Sequence, residues 1–420
     1  MPARTVTDLA GARRASFGSF LLLGHLVLCS IAWVPEYLDR LNISFTTWGL
    51  ILGLAPMGAI AAVLVAPSII NRFGVAPMMR ASAILAVLAI VPLGFITSAA
   101  VWGLVHMLFH FLASLAGVAV NTHGVLLQKK SEESILSGLH AGWSIGAVGA
   151  ATSGAVGTLF ISLEVYLIVV AVITLIGFLI LSQLLLTPDV DGHREENMSS
   201  ARIKWFKIPP RIWILAFALL CVVLPELAIF EWSAILTRAA GIDLALRAVP
   251  FGAFMMGMII GRLSIASLSK KFDIHYLSVT GALIAGFGLG TGVLGAWFLS
   301  SVSPWATVIW LGSFWFLGGL GLSPVGPTVM LSASLTPGIS TAQAIATLSF
   351  VTQAVSILGK IAMGAIAENA SVSAAFIIPV LALFAASALV HSASVRGKSK
   401  GLDRINPPTG PLPVVTGDVT

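Results

Sequence analysis

Charge is what this sequence has least of. Only 23 lysines and arginines and 17 aspartates and glutamates occur in 420 residues, 10% of the chain, against roughly 25% in ordinary soluble domains. So few charges cannot coat the several globular domains that a chain of this length would otherwise form. That excludes a soluble enzyme and a nucleic-acid binder. Cysteine is nearly absent too: Cys29 and Cys221 both fall in apolar stretches, so there is no disulfide framework of a secreted module. Hydrophobic residues, by contrast, make up 57% of the chain and its mean hydropathy is +1.00. Most of such a chain must be dissolved in lipid.

A bilayer core of roughly 30 Å takes about 20 apolar residues as a helix. Twelve such runs occur, near 17–38, 46–70, 76–98, 100–127, 137–160, 163–186, 211–238, 247–269, 276–300, 304–330, 340–367 and 372–395. An unpaired backbone group in lipid costs several kcal/mol, so each run is helical. The polar stretch TPDVDGHREENMSSARIKWFKIPPR separates six from six. The expected organisation is a cytoplasmic N-terminal segment (1–16), a six-helix bundle (17–186), a cytoplasmic linker (187–210), a second bundle (211–395) and a disordered cytoplasmic tail (396–420). Basic residues set the orientation. Of the 23, 19 fall on one side, among them Arg72, Arg80, Lys130, Arg211, Arg262 and Lys271. Arg40, Arg238 and Arg247 fall on the other side, and Lys360 lies inside a helix. Both termini are therefore placed in the cytoplasm, with the protein in the inner (plasma) membrane.

The halves look related. IINRFG (69–74) aligns with LSKKFD (268–273), GVAVNTHGVLL (117–127) with GLSPVGPTVML (321–331), and Ser137…His140 with Ser340…Gln343. All three matches need an offset of about 200 residues, as duplication of a six-helix unit requires. With a long central loop and a basic loop after the second helix, this pattern resembles the major facilitator superfamily. The family's loop motif, G-x-x-x-D-R-x-G-R-R/K, is degenerate here as Pro67, Asn71, Arg72 and Gly74, with the acid replaced by Asn71. Within the superfamily the chain is similar to the bacterial branch related to fucose permeases and a rhizopine-associated membrane protein. The stretches that carry this are Asn121…Gln128, Ser137-Gly138-Leu139-His140-Ala141, Glu226…Glu231-Trp232-Ser233 and Gly261-Arg262-Leu263…Lys271-Phe272. The resemblance implies an all-α membrane protein of twelve transmembrane helices in two pseudo-symmetric six-helix bundles. It also implies a gating role for the loop of Asn71, Arg72 and Gly74, and a sugar-like substrate.

Helical spacing indicates which polar residues share a face. On the fourth helix His106, His110, Ser114, Gly117, Asn121, Gly124 and Gln128 lie within an arc of about 80°, with His123 off it. In lipid such a stripe faces protein or a water-filled cavity. His106 and His110 also have metal-ligand spacing, but no acid or cysteine joins them in that helix, so no metal is expected. On the fifth helix Gly142, Gly146, Gly149, Ser153 and Gly157 form a small-residue packing stripe opposite His140. On the eleventh, Ser349, Gln353, Ser356 and Lys360 share a face, with Gln343 nearer the helix start. Prolines at 324 and 327 should bend or hinge the tenth.

Glu226 lies 15 residues past Arg211, about 22 Å along the helix and so near mid-membrane. Carboxyls there mark proton relays or substrate contacts. Glu231 sits nearer the outer surface, and either acid could partner Lys360. Together these residues point to a secondary transporter, not an enzyme and with no cofactor. It takes up a small polar solute by alternating access, with protons carried through Glu226 and Glu231. His110, Asn121, His140, Gln343, Gln353 and Lys360 are the expected substrate contacts. No arginine pair lies within a span, so nothing demands an anionic cargo. Export of an amphipathic metabolite or drug, with the aromatic residues lining the pocket, is the alternative. The expected partners are that solute, protons and the bilayer, with no nucleic acid, and the protein acts as a monomer.

The orientation has a direct test. Cysteines introduced as Lys130→Cys and Lys400→Cys should react with an impermeant maleimide only in opened cells. Arg40→Cys should react in intact ones. External labelling of Lys400→Cys would mean an odd number of spans.

Overall fold

Backbone amides in hydrocarbon find no water, so their bonds must close within each segment. The computed structural model, which describes residues 9–131, 135–188, 208–339 and 341–395, meets this with helices throughout and no strand among the described residues. The helical segments are α1 Leu9–Leu41, α2 Phe45–Phe73, α3 Val75–Gly94, α4 Ala99–Ser131, α5 Leu136–Phe160, α6 Leu163–Leu181, α7 Pro210–Ala239, α8 Val249–Lys271, α9 Ile274–Leu299, α10 Pro304–Ser334, α11 Thr341–Asn369 and α12 Val372–Ala393. Among the described residues, eleven spans are long and apolar enough to cross a membrane on hydropathy alone. The remaining helix, α5, has 25 residues, enough to cross, but its glycines and serines dilute its hydropathy. The first helix already includes Leu9, the first described residue, ahead of the expected start near residue 17, and Ala12, Ala15 and Ser16 are buried against the bundle. Residues 1–8 of the expected N-terminal segment, 189–207 of the expected linker and the whole expected tail lie outside the described residues.

Side chains written into the turns start several helices. Ser44 caps α2 by accepting the Thr47 amide at 3.1 Å, and Asp273 caps α9 through the His275 amide at 2.8 Å. Such caps satisfy backbone donors that a helix start leaves free. The bend expected in α10 is present. The helix runs Pro304–Leu322, breaks at Ser323 and Pro324, and resumes as Val325–Ser334.

The packing repeats from one half to the other. In the first bundle α1 packs on α4, α5 and α6, while α4 is held between α2 and α3. In the second, α7 packs on α10, α11 and α12, while α10 is held between α8 and α9. The chain ends of the two bundles are tied alike. His123 on α4 accepts the Leu186 amide after α6 at 3.0 Å, and Ser332 on α10 accepts the Val395 amide after α12 at 3.0 Å. The two donor–acceptor pairs are displaced by the same number of residues, as duplication requires.

The glycine stripe on α5 lies against α1. A side-chain carbon on Gly146 would collide with the Leu21 carbonyl and the His25 amide, so this seam closes only with the residue that has no β-carbon. Gly146→Leu should therefore prevent α1 from docking. The expected outcome is at least a several-fold loss of monodisperse protein in detergent gel filtration, whereas Ile145→Leu, on the exposed face, should leave the yield unchanged.

Candidate functional site

The bundles meet chiefly along α2 and α11, and more briefly where α1 meets α7 and α5 meets α8. Gly49 allows the closest approach: a β-carbon there would stand 2.6 Å from the Lys360 carbonyl and 2.9 Å from the Gly364 Cα. Several bonds cross between the bundles here. The Phe45 amide donates to Glu368 Oε2 at 2.7 Å. Arg238 pairs with Asp39 at 2.8 Å and donates to the Pro35 carbonyl at 3.2 Å. Lys360 Nζ donates to the Leu52 carbonyl at 3.3 Å. That carbonyl is free because the residue four positions on is Pro56, which has no N–H to return to it. Beside Asp39, Arg40 binds within its own bundle, to Glu164 at 2.6 Å and to the Gly94 carbonyl. The cleft between the bundles is thus sealed at the end where α1 gives way to α2. Toward the other end Asn121, His140 and Arg262, from both bundles, are exposed.

Two charge pairs occupy this cleft. Beneath the seal, Lys360 reaches Glu231 at 2.5 Å, with the lysine side chain only 6% exposed. Of the two acids weighed for Lys360, Glu231 is the partner. Its second oxygen, Oε2, is buried without a hydrogen bond. The charge of Lys360 also reaches His106 and His110 on α4, whose Nε2 atoms lie 3.2 Å apart. His106 is stacked on Trp102, ring centroids 4.6 Å apart, and its Nδ1, like the Trp48 Nε1, has no partner. Buried ions hold their place when paired; removing one partner generally costs about 3–5 kcal/mol.

The second pair corrects the charge reading. Arg262, counted above with the loop charges, lies mid-way along α8, nine residues short of Lys271. Its guanidinium stands 3.9 Å from Glu226 on α7, the two side chains 46% and 26% exposed. The expected span 247–269 already contained it, so length was the signal that charge counting overrode. The remaining 18 one-sided basic residues keep the asymmetry. Glu226 follows Pro225, a helix-interior proline that leaves the Cys221 carbonyl without its usual donor. Across the cleft His140, edge-on to Phe20 at 5.0 Å, lies within the field of Arg262.

The other expected residues are spread along the cleft. Asn121 continues the His110 face of α4 toward the open end, its amide donating to the Gly117 carbonyl at 2.8 Å. Gln353 is half-buried, two turns of α11 from Lys360. Gln343, in the first turn of α11, is about 25 Å along the helix from Lys360 at 1.5 Å per residue, and so belongs to the mouth rather than the centre. Asn71 and Arg72 are exposed at the end of α2, Arg72 lying over the Phe73 ring at 5.1 Å. Gly74 then turns the chain into α3 at φ 90, a conformation that favours glycine. His123, off the stripe, is fully buried and bonds Ser16 at 2.8 Å as well as Leu186. It is a tether.

The sequence profile of the Major Facilitator Superfamily matches residues 15–338. An uncharacterized transporter of Sinorhizobium fredii, y4wD, is 26% identical over 375 residues, covering 89% of this chain and 95% of the relative. Among solved structures, the D-xylose-proton symporter superposes with a TM-score of 0.71 at 13% identity, over 93% of this chain and 99% of that one. The nucleoside transporter NupG gives 0.66 at 12% identity, over 92% and 98%.

If the α4 stripe lines a wet passage, Asn121→Cys should react rapidly with a small charged thiosulfonate. His123→Cys, at 0% exposure, should react at least about tenfold more slowly, as burial of a thiol requires. Equal rates would remove the stripe from the passage.

Proposed function

This chain belongs to the Major Facilitator Superfamily of membrane transporters, and we propose that it takes up a small, hydroxyl-rich solute by alternating access, coupled to protons. One observation carries the reading: a cleft between two related bundles, sealed at one end and open at the other, holds charged and polar groups of both bundles in its walls. A fixed site that faces one side and then the other is what such a rocking pair of bundles provides. The open end is the one flanked by most basic residues, so it is assigned to the cytoplasm of an inner-membrane protein with both termini inside. A single chain holds the complete cleft, which supports a monomer.

Within the cleft we assign hydroxyl recognition to Asn121, His140 and Gln353, whose side chains are neither charged pairs nor helix ties. Gln343 then serves at the mouth. His110 and Lys360 act at the sealed end, where Lys360 is already bound to Glu231. Sugar-like cargo is supported by the resemblance to fucose permeases and by fold relatives described as a D-xylose-proton symporter and a nucleoside transporter. Proton coupling is assigned first to Glu226, which meets the water of the open cleft, and second to Glu231, which meets it only when the seal parts. Asn71, Arg72 and Gly74 form the hinge between α2 and α3 at the open end.

The test is transport into proteoliposomes of labelled pentoses, hexoses, polyols and nucleosides, with and without an imposed pH gradient. The parent should accumulate its solute only with the gradient. Glu226→Gln, fixed in a neutral state, should lose accumulation while retaining exchange of solute for solute. Gradient-driven accumulation by Glu226→Gln at the parent level would remove Glu226 from coupling.

A further inference from the structure

Arg262 is a group that a neutral sugar does not need. An arginine within the span of a helix is costly in lipid and marks a ligand or a partner. Its planar fork carries five N–H donors suited to two oxygens at once. Charge-assisted bonds of that kind run at about 2.7–2.9 Å, yet the nearest acid oxygen, on Glu226, stands at 3.9 Å. No hydrogen bond to a described residue ends on this guanidinium, and almost half of its side chain is open to the cleft. Lys360, by contrast, is buried and closely bonded to its acid. One pair is closed and the other stands open.

We infer that the cargo carries a carboxylate, received by the fork of Arg262, and that Glu226 takes up one proton as it binds. This rests on the transport reading above and narrows its substrate class to a hydroxylated monocarboxylate such as a sugar acid. The hydroxyls fall to Asn121, His140 and Gln353. The proton follows from charge. A second carboxylate on Arg262 would face ionised Glu226 across one guanidinium, leaving one positive charge for two negative ones, and a nearby like charge disfavours the ionised form. One anion and one proton entering together leave the net charge of the cleft unchanged, so binding and coupling become one event.

The surrounding elements add little competing charge. On α5, His140 lies within the field of Arg262. On α10 there is no ionisable residue. From α11 come Lys360, bound to Glu231, and Glu368, at the seal. On α8, Lys270 and Lys271 stand at the helix end. On α1, Arg13 and Arg14 lie exposed in the first two turns of the described helix, His25 is bonded to Ser153, and Glu36, Asp39 and Arg40 lie at the sealed end. On α12, His391 is in the last turn, against His275.

The experiment is isothermal calorimetry on the purified full-length transporter, in two buffers of different ionisation enthalpy so that protons are counted. The probes are matched pairs: D-glucose and D-glucuronate, D-galactose and D-galacturonate, D-xylose and D-xylonate. At least one acid should bind about tenfold or more tightly than its neutral partner, the range expected for bonds to a charged group, with uptake of about one proton per acid bound, by linkage. Arg262→Gln should weaken the acid about tenfold or more. Arg262→Lys, which keeps the charge without the fork, should fall between the two and shows whether the altered site still folds. Glu226→Gln should still bind the acid but take up no proton. The inference is overturned if each neutral sugar binds as tightly as its acid, if none of the acids binds, or if Arg262→Gln binds the acid like the parent. Tight neutral-sugar binding leaves the transport reading standing, whereas failure of every solute, the three sugar acids included, to enter proteoliposomes removes that reading instead.

Discussion

A charge inside hydrocarbon must find its counter-charge within the protein, because lipid offers none. The architecture of the cleft follows from this requirement. Lys360 could not sit on α11 without Glu231 on α7, and the two helices are held at that depth by the bond between them. Arg262 and Glu226 meet the same demand more loosely, 3.9 Å apart with both side chains partly exposed. Depth relative to the seal thus decides whether an ion pair is tight or slack.

A second condition is that the bundles touch closely without interlocking. Apolar side chains gain nothing over lipid tails by meeting one another, so contact between helices in a bilayer rests on fit. Gly49 and Gly364 let the α2 and α11 backbones approach along a smooth strip, and the polar bonds that finish the seal are few and local. Within each bundle the chain end after the sixth helix is tied back, at His123 on α4 in the first and at its counterpart Ser332 on α10 in the second. Two bundles that each close on themselves and meet chiefly along one helix pair are what alternating exposure needs.

Much of this is legible in the amino-acid order. Twelve spans can be counted because lipid permits almost nothing but helices, and the α10 break can be foreseen because Pro324 and Pro327 lack donors. The face of His110 and Asn121 follows from helical spacing alone. The pairing of acids and bases is not legible in the same way. Glu226 and Glu231 are about 140° apart around α7, and nothing local to α7 says that Lys360 lies opposite one and Arg262 opposite the other. Arg262 itself is obscured by Lys270 and Lys271, since a basic residue near a loop reads as topology. His123 shows the reverse: a histidine in a membrane helix invites a functional reading, and its two bonds make it a structural tie.

The bond from Lys360 to the Leu52 carbonyl has an unusual kind of acceptor. It belongs to the main chain, so no substitution of the Leu52 side chain deletes it, and it is available only because Pro56 stands four residues further on. The strength of the seal is thereby written at a position that takes no part in it. When the bundles separate there, the carbonyl is left with neither helix partner nor ammonium, and only water can replace them. In the proposed cycle, hydration of a single peptide group then becomes part of each opening, and the balance between the two orientations is set in part by where one imino acid falls in α2.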